Sequence, residues 1–183
     1  MINSIGCIEL SSIATGYIVA DAMIKSANVE IVWNEIHCPG RLMLMILGDT
    51  SSVSAAIEVG LTKGGAQVVN SLVLSRIHTD VLEAIRKRKS TKNIKSLGVL
   101  EAQSISSAIE AADIAVKSSN VEILSINVSI GIAGKGVVTI TGDIASITSA
   151  VEIAVKNAAN KDTILHTAVI ANPSPSILTR KRP

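Results

Sequence analysis

Aromatic and charged side chains are both scarce in this chain. Its 183 residues include no Phe, one Trp and one Tyr, and Asp, Glu, Lys and Arg together supply only 17%, against roughly 25% in an ordinary soluble domain. With so few aromatics, the stacking platforms by which proteins hold single-stranded nucleic acid are missing. Net charge is +2. Basic residues do cluster, at Arg86, Lys87, Arg88, Lys89, Lys92 and Lys95 and again at Arg180, Lys181 and Arg182. Such runs read as solvated segments, so no nucleic-acid partner is expected. Cysteine is limited to Cys7 and Cys38, one disulfide at most. The longest uncharged stretch, Thr163 to Thr179, has 17 residues and contains His166, Asn172, Pro173 and Pro175. A membrane-spanning helix needs about 20 predominantly apolar residues, so no membrane partner is expected. Met1 to Leu10 lacks the basic start and apolar run of a secretory signal. The expectation is a cytosolic protein with both thiols reduced.

What the chain has in quantity is aliphatic: hydrophobic residues make up 48%. A chain of this length hides roughly 70% of its unfolded surface. Sparse charge over the remainder predicts that other protein chains cover part of it.

The sequence also repeats. Residues 5 to 31 match 97 to 123 at an offset of 92, with 12 identities in 27, including Gly6/Gly98, Glu9/Glu101, Asp21/Asp113, Lys25/Lys117 and Asn28-Val29-Glu30-Ile31/Asn120-Val121-Glu122-Ile123. After a two-residue slip, Gly48-Asp49 matches Gly142-Asp143. The reading is a fusion of two copies: a first domain over 1–85, a basic linker over 86–96, and a second domain with a C-terminal tail over 97–183. In the first copy, strands are expected at Ile5 to Leu10, Val29 to Trp33, Leu42 to Leu47 and Val68 to Leu74. Helices are expected behind the N-cap Ser12 and over Ser51 to Leu61. The second copy predicts strands near 97–101, 121–129, 136–142 and 163–170 and helices near 104–118 and 145–159. The order βαββαβ predicts an α/β (α+β) fold in which two helices cover one face of a mainly antiparallel sheet, once per copy.

These residues carry a resemblance. Ile5-Gly6-Cys7-Ile8-Glu9, the helix Ala20 to Glu30, a glycine-containing loop and a strand ending Gly48-Asp49 resemble the bacterial microcompartment shell domain, and the match recurs in each half. The fused form is similar to the tandem shell proteins whose trimers make pseudohexameric tiles. The resemblance implies a homotrimer working beside other shell proteins. It places Lys25 and Lys117 at tile edges, and loops Glu35 to Arg41 and Ile130 to Gly136 around a central axis. His37, Pro39, Gly40, Arg41, Ile132, Gly134 and Lys135 would then line the axial loops or stand behind the thiol. The family's Pro-Arg-Pro-His edge motif appears here only as Pro173-Ser174-Pro175-Ser176. In tandem members from propanediol-utilising compartments, an equivalent Cys-Pro-Gly loop carries an iron–sulfur cluster. This implies that Cys38, in His37-Cys38-Pro39-Gly40, is a cluster ligand.

One thiol cannot hold such a cluster, because Fe–S centres are held by about four thiolates or close substitutes. The counterpart of Cys38 is Ile132, so each fused pair offers one thiol. On a three-fold axis, three Cys38 side chains would bind one [4Fe–4S] cluster per trimer and leave one iron open. The expected function is a shell tile that passes electrons, or clusters, between the cytosol and an encapsulated redox enzyme. Two rivals stand beside it: a purely structural tile with a small-molecule pore lined by Cys38, and a ligand-binding regulatory protein of paired ferredoxin-like units. Cys7, replaced by Val99 in the repeat, reads as core packing, and His37 as an exposed loop residue near the thiol. Gly131 to Gly136 lacks the spacing and the Ser or Thr of a phosphate loop. Asp21, Glu30, Asp113 and Glu122 fit solvated helix ends better than an acid–base pair, and no enzyme is expected.

Overall fold

The computed structural model describes residues 4–86, 94–127, 134–158 and 163–178. The first copy runs β1 (Ser4–Leu10), α1 (Ile13–Ser26), β2 (Val29–His37), β3 (Arg41–Gly48), α2 (Thr50–Gly64) and β4 (Val68–Ser75). Helix α3 (Thr79–Arg86) follows. The second copy runs β5 (Ser96–Ala102), α4 (Ile105–Ser118), β6 (Val121–Asn127), β7 (Gly136–Gly142), α5 (Ile144–Asn157) and β8 (Ile164–Ala171), with a short α6 (Pro175–Leu178) after it. Each copy forms a four-stranded sheet, ordered β2-β3-β1-β4 and β6-β7-β5-β8, in which every neighbouring pair is antiparallel. The expected fold is therefore present twice.

The repeat extends to irregularities that residue identity does not reveal. Sheet register shifts at Ile31/Trp33 in β2 and at Ile123/Ser125 in β6, and again at Glu9/Leu10 in β1 and Glu101/Ala102 in β5. Each pair is separated by the same 92 residues. Such bulges bend a strand and increase its twist, so the two sheets are shaped alike.

Apolar burial explains the order of the strands. β1 is central, hydrogen-bonded on both sides, and all seven of its residues are buried. β3 carries the continuous run Leu42-Met43-Leu44-Met45-Ile46, also buried. Helices α1 and α2 close over one face through Val19, Met23, Val53, Ala56 and Ile57. Both start at good caps. Ser12 Oγ accepts from Thr15 N–H at 3.2 Å, and Asp49 Oδ1 accepts from Ser52 N–H at 2.9 Å.

The fold divides into two compact units, which do not follow chain order throughout. The first comprises Met1–Ile77, Ser104–Ser106 and Val128–Lys135; the second comprises His78–Gln103, Ser107–Asn127 and Gly136–Pro183. Within the second unit α3 packs on β6, and His78 N–H donates to Asp113 Oδ1 at 2.8 Å. This corrects one expectation: Asp113 is buried beneath that segment, not solvated at a helix end. Helix α3 was not anticipated either. It follows β4 directly, so most of its residues fall in the stretch read as the end of the first domain.

Candidate functional site at the β2–β3 hairpin

Strand β2 continues four residues past Trp33 because β3 supplies a partner for every position down to the pair His37↔Arg41. The loop expected over Glu35 to Arg41 is therefore shorter, a turn of Cys38, Pro39 and Gly40. Gly40 N–H closes it on the His37 carbonyl at 2.9 Å. Gly40 has φ of +87°, a conformation open to glycine and strained for other residues. The Cys38–Pro39 peptide is cis.

Cys38 is half-buried at the tip of this hairpin, and Cys7 is fully buried in β1. Burial, with the Glu9 charge adding to it, pushes the Cys7 thiol far above its usual range. Cys7 is thus withheld from metal or redox chemistry, and Cys38 is the thiol available for it.

His37 is buried, with 6% exposure, in contrast to the exposed loop residue expected. Its Nδ1 lies 3.0 Å from the Cys38 carbonyl oxygen. A carbonyl only accepts, so Nδ1 donates. The other ring nitrogen, Nε2, has no hydrogen-bond partner among the described residues and faces Glu9 Oε2 at 4.0 Å. Glu9, the β1 carboxylate shared by both copies in sequence, is fully buried. Its Oε1 accepts from the Ser106 hydroxyl at 2.7 Å and from Ser106 N–H at 3.2 Å. Oε2 likewise has no hydrogen-bond partner among the described residues and lies 3.9 Å from Arg41 Nη1. Nothing in the sequence singled out Glu9 for this place. In β1 it pairs in register with Met43 and Asn70, neighbours that only the folded sheet supplies.

The turn is joined by part of the other expected axial loop. Gly134, with φ of +82°, lies so close that a Cβ added there would meet the Cys38 carbonyl oxygen at 3.0 Å and Arg41 Nη1 at 3.6 Å. Lys135 follows it, half-buried. Ile132 lies outside the described residues. The expected edge lysines are far from this hairpin in sequence and sit on helices: Lys25 on α1, paired with Asp21 at 2.7 Å, and Lys117 on α4, paired with Asp113. Lys25 is 72% exposed and Lys117 39%.

Among the described residues, no group of three His, Cys, Asp or Glu side chains within the chain could hold a metal ion. One chain contributes the Cys38 thiol, a soft donor suited to iron–sulfur ligation. This donor set fits a cluster only where several copies of the hairpin meet.

The sequence profile of the BMC domain matches residues 4–77 and, a second time, residues 96–173. The chain belongs to the BMC domain family. Among BMC relatives, the bacterial microcompartment shell protein PduT of Citrobacter freundii is 39% identical over 177 residues, covering 97% of this chain and 96% of that one. The shell protein PduA of the same organism is 33% identical over 87 residues, 46% of this chain and 94% of that one. Of solved structures, the crystal structure of a microcompartment protein from Desulfitobacterium hafniense superposes with a TM-score of 0.86 at 36% identity, covering 97% of this chain and 99% of that one. The protein is a tandem-BMC structural shell tile of a bacterial microcompartment and not an enzyme. No helix among the described residues is long and apolar enough to cross a membrane.

Proposed function

We propose that the tile is a homotrimer, a pseudohexamer of six BMC domains, whose three Cys38 hairpins meet on the three-fold axis and there hold one [4Fe–4S] cluster. The observation that carries this reading is the contrast between the two thiols, one sealed in β1 and one half-exposed at a hairpin tip beside Gly134. When bound, such a cluster supplies a one-electron couple, suited to passing electrons across the shell to or from an encapsulated redox enzyme. The chain's own part is to present a thiolate on a rigid turn and to keep the remaining hairpin residues packed behind it.

A closed ring of chains is supported by helix exposure. On α1, Tyr17 is exposed at 57% and Asp21 is exposed too, with Ile18 and Ile24 beside them at 62% and 48%. At the places equivalent to Tyr17 and Asp21 on α4, 92 residues on, Ile109 is fully buried and Asp113 nearly so. The same helix face is thus covered in one copy and bare in the other, and a head-to-tail neighbour in a closed ring would cover it. Such rings meeting edge to edge, with Lys25 and Lys117 toward the rim, and alongside other shell proteins, would extend the tile into a facet.

Anaerobic reconstitution tests the cluster. Wild-type protein is expected to turn brown and to hold about four irons per three chains, the content of one three-thiolate [4Fe–4S] centre, with Cys38→Ser colourless but still trimeric. Iron-free wild-type protein that still assembles with shell partners would leave a structural tile whose axial opening is lined by Cys38.

A further inference from the structure

Glu9 is buried at a cost, since a carboxylate without water needs compensating partners. Its two oxygens are used differently. Oε1 is held by the hydroxyl and the N–H of Ser106, which fixes the orientation of the carboxyl group. Oε2 is left to face the base of the β2–β3 hairpin, 4.0 Å from His37 Nε2 and 3.9 Å from Arg41 Nη1. Those two residues pair with each other as the last of β2 and the first of β3, so they bracket Cys38-Pro39-Gly40. From His37 the link continues to the thiol's own residue, through Nδ1–H donating to the Cys38 carbonyl. In the second copy, where Ile132 replaces the cysteine, the equivalent Glu101 is only half-buried.

We propose that Glu9 is a positioning residue for Cys38: its buried carboxylate attracts Arg41 on one flank of the hairpin turn, packs against His37 on the other, and so sets the direction in which the thiol points. The arrangement is of the kind by which outer partners orient metal-binding side chains. The inference deepens the axial reading of Cys38 and rests on it for its purpose, but not for its physical content. The buried carboxylate attracts the Arg41 guanidinium 3.9 Å away more strongly than it would in open water, and it packs against the His37 ring at 4.0 Å. Replacing it with an amide keeps the size of the side chain and removes the attraction. The turn is then left to its internal bonds, Gly40 N–H to the His37 carbonyl and His37 Nδ1–H to the Cys38 carbonyl.

The test reads the thiol without a cluster. Cys38 in the apo trimer is alkylated with N-ethylmaleimide and followed by intact mass, in wild type, Glu9→Gln and Glu101→Gln. The expected result is faster Cys38 labelling in Glu9→Gln, on the order of tenfold, the scale on which outer-shell partners act. Glu101→Gln is expected to match wild type, and Cys7 to stay unlabelled throughout. Protection of Cys7 separates a freed hairpin from a loosened fold. Glu9→Asp keeps the charge but withdraws it by one methylene, and is expected to label fast as well. If Glu9→Gln does not fold, His37→Leu breaks the same link from the other side and is expected to give the same acceleration.

Equal labelling of Cys38 in wild type and Glu9→Gln, or in wild type and His37→Leu where that variant stands in, overturns the proposal, as does a Glu9→Asp variant that behaves like wild type. Copper–phenanthroline oxidation of wild-type trimers addresses the axial reading separately. Two neighbouring Cys38 thiols give up two protons and two electrons to form one disulfide, seen as a two-chain band that Cys38→Ser lacks. Absence of that band counts against the shared axis, and the labelling rates still decide the role of Glu9.

Discussion

Asp49 shows how one side chain starts a helix in this fold. Its carboxylate accepts from the hydroxyls of Ser51 at 2.6 Å and Ser52 at 2.8 Å besides the Ser52 N–H. The Ser51 bond and the two Ser52 bonds hold its pKa well below the usual carboxylate range. A depressed folded-state pKa contributes stability that is fully present above the unfolded value and is lost as pH falls toward the folded one. Asp49→Ala is therefore expected to lower the melting temperature at pH 7. The gap from wild type should narrow below pH 3.8, the ordinary value for the group, as wild type gives up this contribution, which thermal melts across pH 2 to 7 would measure. Asp143, the matching residue, caps α5 without a capping hydrogen bond from its side chain, although the Gly-Asp pair looks the same in sequence. Asp143 Oδ1 instead accepts from Lys95 Nζ at 3.5 Å, and the hydroxyls on offer differ: Thr50-Ser51-Ser52 has two after its first residue where Ile144-Ala145-Ser146 has one. That difference is legible in the sequence. The burial of Glu9 and His37 is not, because it depends on what β3 and Ser106 bring against them.

Elements pack where small residues let them. Helix α1 approaches β3 at Gly16, where an added Cβ would lie 2.2 Å from Leu42 Cδ2 and 3.1 Å from Leu42 Cβ. Leu42 is fully buried and cannot swing away. Gly16→Val is expected to destabilise the first copy by about 1–3 kcal/mol, the usual cost of overpacking, as read by urea denaturation. At the equivalent position the second copy already has Ala108, fully buried, so Ala108→Gly is expected to cost only about 1 kcal/mol through lost helix propensity. Glycine at 16 was visible in the sequence, but read there it is only a weak helix former. Its purpose becomes apparent when the distance to Leu42 is known. The length of β2 is a similar case. Apolar, β-branched residues marked its start at Val29, but its end at His37 comes from pairing with β3, which short-range pattern does not encode.

At the scale of the whole molecule, the aliphatic surplus and the missing charge find their use in assembly. The bare face of α1 carries Tyr17 at its centre, and an aromatic there is the kind of residue that dominates an interface. In the proposed trimer, Tyr17→Glu is expected to shift the mass in light scattering from three chains toward one. Its melting temperature as a monomer should change little, because Tyr17 is 57% exposed within the chain. A monomeric variant should also fail to hold iron, since one hairpin supplies one thiolate. Loss of iron together with loss of the trimer, and retention of the trimer in Cys38→Ser, would separate assembly from metal binding.

The sequence by itself determined the duplication, the order of strands and helices in each copy and the family. All three depend on local pattern repeated at a fixed offset, and a period of two or of 3.6 residues survives without knowledge of neighbours. The sequence also set Cys7 apart as a core residue, whereas tertiary structure alone decided that His37 is buried, that Asp113 is covered by the segment leading into α3, and that Glu9 lies beneath the hairpin. Those properties depend on which distant groups come within about 4 Å of each other, where Coulomb attraction and desolvation are felt. No spacing along the chain specifies that proximity.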